Sequence, residues 1–231
     1  VTRVSYALDG SIATVTMDDG KANVMSPAMQ AELNQAFDRA ASDDAVVILT
    51  GREGMLSAGF DLNVLGSGGA EAASMVIGGF ELAARMLAFP RPIVIACSGH
   101  AIAMGSFLLL AGDYRIGTTN PAKYTANEVA IGLTMPRAAL EILRQRLTPA
   151  AVVRAALLAE VFTPTNAVEA GFLDEMVPAD ELAGAAREVA TRLATLDPEA
   201  HAATTLRARA RLLADLRTAI DADAAELNGL L

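Results

Sequence analysis

Residues 93–113, IVIACSGHAIAMGSFLLLAGD, constrain the fold more than any other stretch of the chain. They open on Ile93-Val94-Ile95, a β-branched run that reads as a fully buried strand. Ser98-Gly99-His100 breaks the run, and Gly105 breaks it again before an apolar segment from Phe107 to Ala111. The pattern predicts strand, sharp turn and buried helix. Backbone N–H groups at such a helix start lack intrahelical acceptors and can receive an anionic oxygen. Residues 93–112 carry no formal charge, so a membrane span is the competing reading. The serines, glycines and histidine inside the stretch, and the charges that close both ends, argue against it.

The flanking sequence surrounds this stretch with further strands and helices. Residues 4–8 and 12–17 alternate around Asp9-Gly10, a strong hairpin signal. Ser26-Pro27 reads as an N-cap followed by proline at the first helical position, and Met29, Leu33, Ala36, Phe37 and Ala40 carry a helix to about Ser42. Residues 46–50 form a short buried strand and residues 51–54 a loop. Gly66-Ser67-Gly68-Gly69 reads as a flexible segment, and no strand precedes it as a dinucleotide fingerprint requires. A helix is expected over 71–88, a strand over 114–117, and loop or short strand over 118–127. Beyond Met135 the pattern is helical: 136–147, 150–159 after Thr148-Pro149, a short helix capped by Thr165 and stopped at Gly171, then 181–196 and 199–227. Only residues 172–177 read as extended there. The order points to an α/β core with a helical C-terminal part.

Composition removes several functions. Eighteen Lys and Arg against 27 Asp and Glu give a net charge of −9, which argues against a general nucleic-acid binder. The only lysines are Lys21 and Lys123. The single Cys97 excludes an internal disulfide and fits a reducing compartment. Two histidines, His100 and His201, leave no material for a Cys/His zinc site, and no metal is expected. The first residues alternate like a strand and show no signal-peptide pattern. A cytoplasmic enzyme or binding protein is the expectation, with no membrane partner.

Two turns use small residues where backbone must come close to something: Ser57-Ala58-Gly59-Phe60-Asp61-Leu62 and Gly99-His100-Ala101-Ile102-Ala103-Met104-Gly105. Spacing alone leaves each as a plain tight turn as readily as a functional one. Their order says more. Ser-Ala-Gly-x-Asp-Leu, then Pro-x-Val-x-Ala-x-x-x-Gly-x-Ala, then Ala-Asn-Glu-Val-Ala-Ile-Gly resembles the crotonase, or enoyl-CoA hydratase/isomerase, superfamily. Asp-Gly-Lys-Ala-Asn near the start and Ala-Val-Glu-Ala-Gly-Phe-Leu-Asp-Glu-Met-Val near the end also fit, so the resemblance covers essentially the whole chain.

The resemblance implies a crotonase-like ββα spiral core over 1–178 and a C-terminal helical oligomerisation region over 179–231. It implies an acyl-CoA thioester as substrate, with no further cofactor, and a homotrimer or dimer of trimers. Matched residue by residue, the backbone N–H groups of Phe60 and Met104 would form an oxyanion hole for the thioester carbonyl. Ala58, Asp61 and Leu62 would lie along the CoA or acyl chain, Ala22 would contact the CoA moiety, and Lys21 would meet phosphate.

One position departs from the hydratase pattern. Hydratases of the family use two glutamates around a water. Here Glu128 matches the second, but Phe107 stands at the first, three residues after Met104, and cannot hold water. One remaining carboxylate resembles the Δ3-Δ2-enoyl-CoA isomerases, in which a single base moves a proton from C2 to C4, and Phe107 would dry the pocket. A hydratase with another group replacing the missing acid, and an acyl-CoA binder without turnover, remain open. On residues alone Glu128 reads more readily as a surface or capping carboxylate, an order that the resemblance reverses; His100 reads as a turn residue, Asp113 as a capping or pairing group, and Cys97 as a buried filler. Asp174 is a candidate second acid. Arg207, Arg209 and Arg211 are candidates for CoA phosphate or a solvated helix face.

Overall fold

The computed structural model describes residues 2–229. The chain runs β1 (Val4–Asp9), β2 (Ile12–Met17), α1 (Pro27–Ser42), β3 (Val46–Thr50), β4 (Gly54–Ser57), α2 (Leu62–Ser67), α3 (Gly69–Leu87), β5 (Ile93–Cys97), β6 (Gly99–Ile102), α4 (Met104–Leu110), β7 (Tyr114–Thr118) and β8 (Tyr124–Thr125). A 3₁₀ turn at Val129–Ile131 follows, then α5 (Arg137–Arg146), α6 (Pro149–Ala156), α7 (Pro164–Ala170), β9 (Glu175–Val177), α8 (Leu182–Leu193), α9 (Pro198–Ala208) and α10 (Ala210–Gly229).

The strands divide between two sheets. One has the order β1-β2-β3-β5-β7-β9 and the other β4-β6-β8. Among the strand pairs of the described residues, only β1 and β2 run antiparallel, through a hairpin with Asp9 opposite Ile12. Each step along the chain lays one strand in the large sheet and the next in the small one: β3 then β4, β5 then β6, β7 then β8. This is the ββα spiral of the expected α/β class.

Strand periodicity explains why both faces of the large sheet are apolar. Ala13, Val15, Val47, Leu49, Ile93 and Ile95 point into the main core with α1, α3 and α4. Their neighbours Ile12, Val46, Ile48, Val94, Ala96 and Ile116 point the other way and are covered by Leu182, Ala186, Val189 and Ala190 of α8. A parallel strand buried on both faces reads as a continuous apolar run, which is what residues 93–97 are. Leu216, Ala219 and Ile220 of α10 join the main core, so packing is continuous across residue 178.

Four expectations change. The turn after β5 contains a strand: Gly99–Ile102 extends into the small sheet and pairs Ala101 with Tyr124. Its short length and glycine content hid it. The resulting helix α4 has seven residues, about 10 Å of rise, and among the described residues no helix is long and apolar enough to cross a membrane. The Gly66–Gly69 region is not an open flexible segment, because Asp61 caps α2 by accepting from the Asn63 N–H, and α3 starts at Gly69. Thr163, not Thr165, begins α7, in a reciprocal capping box with Asn166. The final helix breaks in two at Arg209, whose guanidinium leaves the helix line to donate to Leu87 O and the Asp113 carboxylate. Ser26 and Thr148 cap α1 and α6 as read.

Candidate active site

The two small-residue turns pack against one another. A Cβ on Gly59 would stand 2.9 Å from the Ala103 Cβ and 3.4 Å from the Met104 nitrogen, and Gly59 has φ +91°. A Cβ on Gly105 would stand 2.4 Å from the Ser57 carbonyl oxygen. Glycine is therefore required at both positions on steric grounds, and the contact brings the Phe60 and Met104 amides into one neighbourhood. Among the described residues, neither amide donates to a protein acceptor. Met104 is the first residue of α4, so it has no intrahelical acceptor.

The side chains of the same two residues turn away from that point. A Cβ on Gly79 of α3 would lie 2.6 Å from the Phe60 ring and 3.2 Å from the Met104 sulfur. Phe60 and Met104 thus dock on one bare patch of α3. Ala103, just before α4, holds φ +48° and ψ −121° without being glycine. Such a conformation costs about 1–3 kcal/mol and persists only where surroundings enforce it. Here Ala103 N–H donates to Thr125 O at 2.8 Å and Ser106 N–H donates to Ala103 O at 2.8 Å. Ser106 Oγ adds a donor bond to Ala101 O at 2.7 Å and accepts from Thr125 N–H at 3.2 Å.

The first turn is fixed from the other side by Asn23. This buried residue, at φ +51°, donates from Nδ2 to Met17 O at 2.9 Å and Leu56 O at 3.2 Å. Ser57 Oγ donates to Asn23 O, and Ala58 N–H donates to Ala22 O at 2.9 Å, so Ala22 and Ala58 are neighbours. Lys21 is exposed, its carbonyl accepting from Arg52 at 2.7 Å. Asp19 organises this loop. Burial alone would raise its pKa, but the N–H groups of Asn23, Lys21 and Val24 and the Arg52 charge together hold it below the ordinary value.

A cleft of about 170 Å³ opens between these turns, α3 and the segment after β8. Ala58, Phe60, Leu62, Phe80 and Ala103 line one side, and Asn127, Glu128, Ile131 and Leu133 the other. Glu128 is 7% exposed. Its Oε2 and the Asn127 Oδ1 are buried without a hydrogen-bond partner. Burial in this apolar wall pushes Glu128 up from 4.5 to about 7, against a small opposing pull from its own backbone N–H. Among the described residues, no other Asp or Glu lines the cleft.

The remaining candidates are placed as follows. Phe107 is fully buried but does not line the cleft; it packs behind Phe80, ring centroids 5.8 Å apart, and Phe80 meets Phe60 edge-on. Asp61 caps α2, and Leu62 is 70% exposed at the mouth. His100 sits on β6 with Nδ1 accepting from Lys123 N–H at 2.9 Å. Asp174 pairs with Arg115 and does not line the cleft. Arg209 ties α9–α10 to Asp113, which also accepts from Ile93 N–H. Burial pushes the Cys97 thiol up to about 12, so it is inert. Sequence reasoning missed Asn127, Gly79 and Ala103. Asn127 was legible as the neighbour of Glu128, while nothing in the sequence marks a positive φ at an alanine.

The enoyl-CoA hydratase/isomerase family model matches residues 8–229. The chain belongs to that family. Its relatives include a Mycobacterium tuberculosis protein, 48% identical, described in one structure as a probable enoyl-CoA hydratase (TM-score 0.95, 98% of this chain and 97% of that one) and in another as an enoyl-CoA isomerase (TM-score 0.93, 97% and 98%). The human mitochondrial Δ3-Δ2-enoyl-CoA isomerase is 26% identical, with TM-score 0.92 over 99% of this chain and 92% of that one. Carnitinyl-CoA dehydratase of Proteus mirabilis is 30% identical over 84% of this chain and 75% of its own length. Family membership makes this an acyl-CoA enzyme with the crotonase fold; it leaves hydratase against isomerase to the chemistry of the cleft.

Proposed function

We propose that the protein moves the double bond of a 3-enoyl-CoA thioester to the 2 position, with Glu128 as its single base. The observation that carries this reading is a lone, buried carboxylate on the cleft wall with one oxygen unpartnered. The thioester carbonyl oxygen accepts from the Phe60 and Met104 N–H groups. Glu128 takes a proton from C2, and the electron pair moves through the conjugated system onto that oxygen. The protonated Glu128 then delivers the proton to C4, and the double bond comes to rest between C2 and C3. No atom is gained or lost, so no second carboxylate is needed. An oxyanion donor of this kind contributes about 3–4 kcal/mol in mutational data, and a positioned base about 10²–10⁴-fold. A base titrating near 7 is matched to neutral operating pH.

Ala22 and Ala58 flank the CoA path in this reading, Leu62 covers the acyl side, Asp61 holds the α2 start in place, and Lys21 meets phosphate. Phe107 acts through Phe80, which it backs, to keep the wall dry. A homotrimer or pair of trimers would cover exposed Leu157, Leu158 and Val153; sedimentation of the purified protein decides that point.

A second reading, hydration of 2-enoyl-CoA, is favoured by one feature. The unpartnered Asn127 Oδ1 beside Glu128 could orient a water. Supplying 3-enoyl-CoA and 2-enoyl-CoA separately discriminates the two. Isomerisation of the first that is lost in Glu128→Gln supports the single-base reading. Efficient hydration of the second that survives Glu128→Gln removes it, and tight acyl-CoA binding with no turnover of either identifies a binder.

A further inference from the structure

The Phe60 amide belongs to the same planar unit as the Gly59 carbonyl. Whatever holds that carbonyl therefore also aims the N–H, which points the opposite way across a trans peptide. Gly59 O accepts from the Met25 N–H at 2.7 Å, and Met25 and Phe60 form an isolated parallel bridge. Met25 lies just before α1 and is fully buried. Its own carbonyl accepts from Gln30 Nε2 at 3.1 Å, and the same nitrogen donates to Met75 O of α3 at 2.9 Å. Gln30 is only 6% exposed. Its carboxamide rests on a bare point of α3, since a Cβ on Gly78 would stand 2.5 Å from Gln30 Oε1. Gly79, the next residue, leaves room for the Phe60 ring and the Met104 sulfur. Adjacent glycines weaken a helix interior, and here each makes space for a different group that bears on the Phe60 turn.

We propose that Gln30 is a positioning residue of the oxyanion hole, acting through Met25 to set the plane of the Gly59–Phe60 peptide. The inference rests on the oxyanion role of the Phe60 N–H and deepens it. Gln30 touches no substrate. Its two donor bonds tie the segment before α1 to α3, and the Met25 N–H passes that position on to Gly59 O. A carbonyl engaged in this way also polarises the N–H of its own peptide, which strengthens the bond that N–H donates. Glutamine suits the task because one NH2 group reaches two carbonyls from different segments and brings no charge into the core. An apolar side chain of similar length would fill the space and leave both carbonyls without that donor.

The test compares the affinity of octanoyl-CoA with that of S-octyl-CoA, a thioether with a methylene in place of the thioester carbonyl, by calorimetry. Only the carbonyl meets the two amides, so the ratio of affinities reads the oxyanion hole and cancels general damage to the cleft. Two such hydrogen bonds together are worth about tenfold, and wild type should prefer the thioester by that factor. Gln30→Met should bring the ratio down to about threefold or less, and should lower kcat on 3-octenoyl-CoA more than it raises KM. Gly78→Ala pushes the carboxamide off its seat from the other side and should narrow the ratio as well, although alanine favours the helix. Asn34→Ala removes a different link between α1 and α3, in which Arg85 donates to Asn34 Oδ1 at 3.0 Å, and should leave the ratio unchanged. Thermal unfolding shows which variants are folded; should Gln30→Met not fold, Gly78→Ala decides. A ratio that persists in folded Gln30→Met, or that falls as far in Asn34→Ala, overturns the inference while the oxyanion reading stands. A wild-type ratio near one removes the oxyanion reading and the inference with it. Absence of turnover counts against the isomerase reading alone, because the ratio is a binding measurement.

Discussion

Glu128 and Asp174 are both carboxylates held against the body of the fold, and their surroundings differ in the one respect that matters. Asp174 accepts from Arg115 Nε at 2.9 Å, Arg115 Nη2 at 2.8 Å and the Arg115 backbone N–H at 2.9 Å. The rest of the buried guanidinium donates to Gly171 O. This region locks β7 to the segment before β9, and its charges are spent on each other. Glu128 has no cation and an oxygen with no donor at all. A buried, unpaired carboxylate is costly, so the fold carries it at a price in stability that a paired one avoids. The contrast separates a paired acid from an unpaired one more clearly than either residue type or neighbouring sequence does.

The sharpest way to break this comparison is to remove each charge in turn. Glu128→Gln should lower isomerisation by about 10²–10⁴-fold while the protein becomes more stable at alkaline pH. The folded pKa of about 7 lies above the ordinary 4.5. The folded state therefore binds more protons between those values, and stability falls as pH rises through that window. Above pH 7 the penalty is full, up to about 3 kcal/mol; below 4.5 it vanishes. Denaturant titrations of wild type and variant at pH 4 and pH 8 would show the gap opening, and a variant no more stable at pH 8 would contradict the assigned burial. Asp174→Asn should do the reverse. It strands the Arg115 charge and should cost about 3 kcal/mol, the low end because the Asp174 side chain is 30% exposed, with kcat of the folded fraction unchanged. A large kcat loss would return Asp174 to the list of acids.

Smaller effects sharpen the cleft side. Gly79→Ala forces a methyl into the Phe60 ring and the Met104 sulfur, and should cost about 1–3 kcal/mol of stability with a fall in kcat exceeding any rise in KM, since both amides shift. A change confined to stability would detach Gly79 from the site. Last, kcat/KM should rise with pH through about 7 as Glu128 ionises and level off above it; a flat profile from pH 5 to 9 would show that another group takes the proton.

Much of the fold was legible because its signals are local. Ser26-Pro27, Thr148-Pro149 and the Asp9-Gly10 hairpin announce element boundaries through caps and turns that need no distant partner. β6 was not legible, because four residues containing Gly99 and His100 become a strand only when β4 and β8 lie on either side. α2 was hidden for a similar reason, since Gly66 and Ser67 look like linker until Asp61 caps the turn. At the site, the order of motifs pointed to Phe60, Met104 and Glu128, of which Phe60 and Glu128 line the cleft. It did not show that Phe107 stands behind Phe80 rather than on the cleft wall.

The sequence by itself determined the family, the α/β class and the presence of only one matching glutamate, because these depend on residue identity and order along the chain. Tertiary structure alone decided that the Gly59 and Gly105 turns meet, that Asp174 is neutralised by Arg115, and that Glu128 faces an apolar wall without a donor. Those outcomes depend on which groups from distant segments share a volume from which water is excluded, and the electrostatics of a carboxylate is set by that volume rather than by its neighbours in sequence.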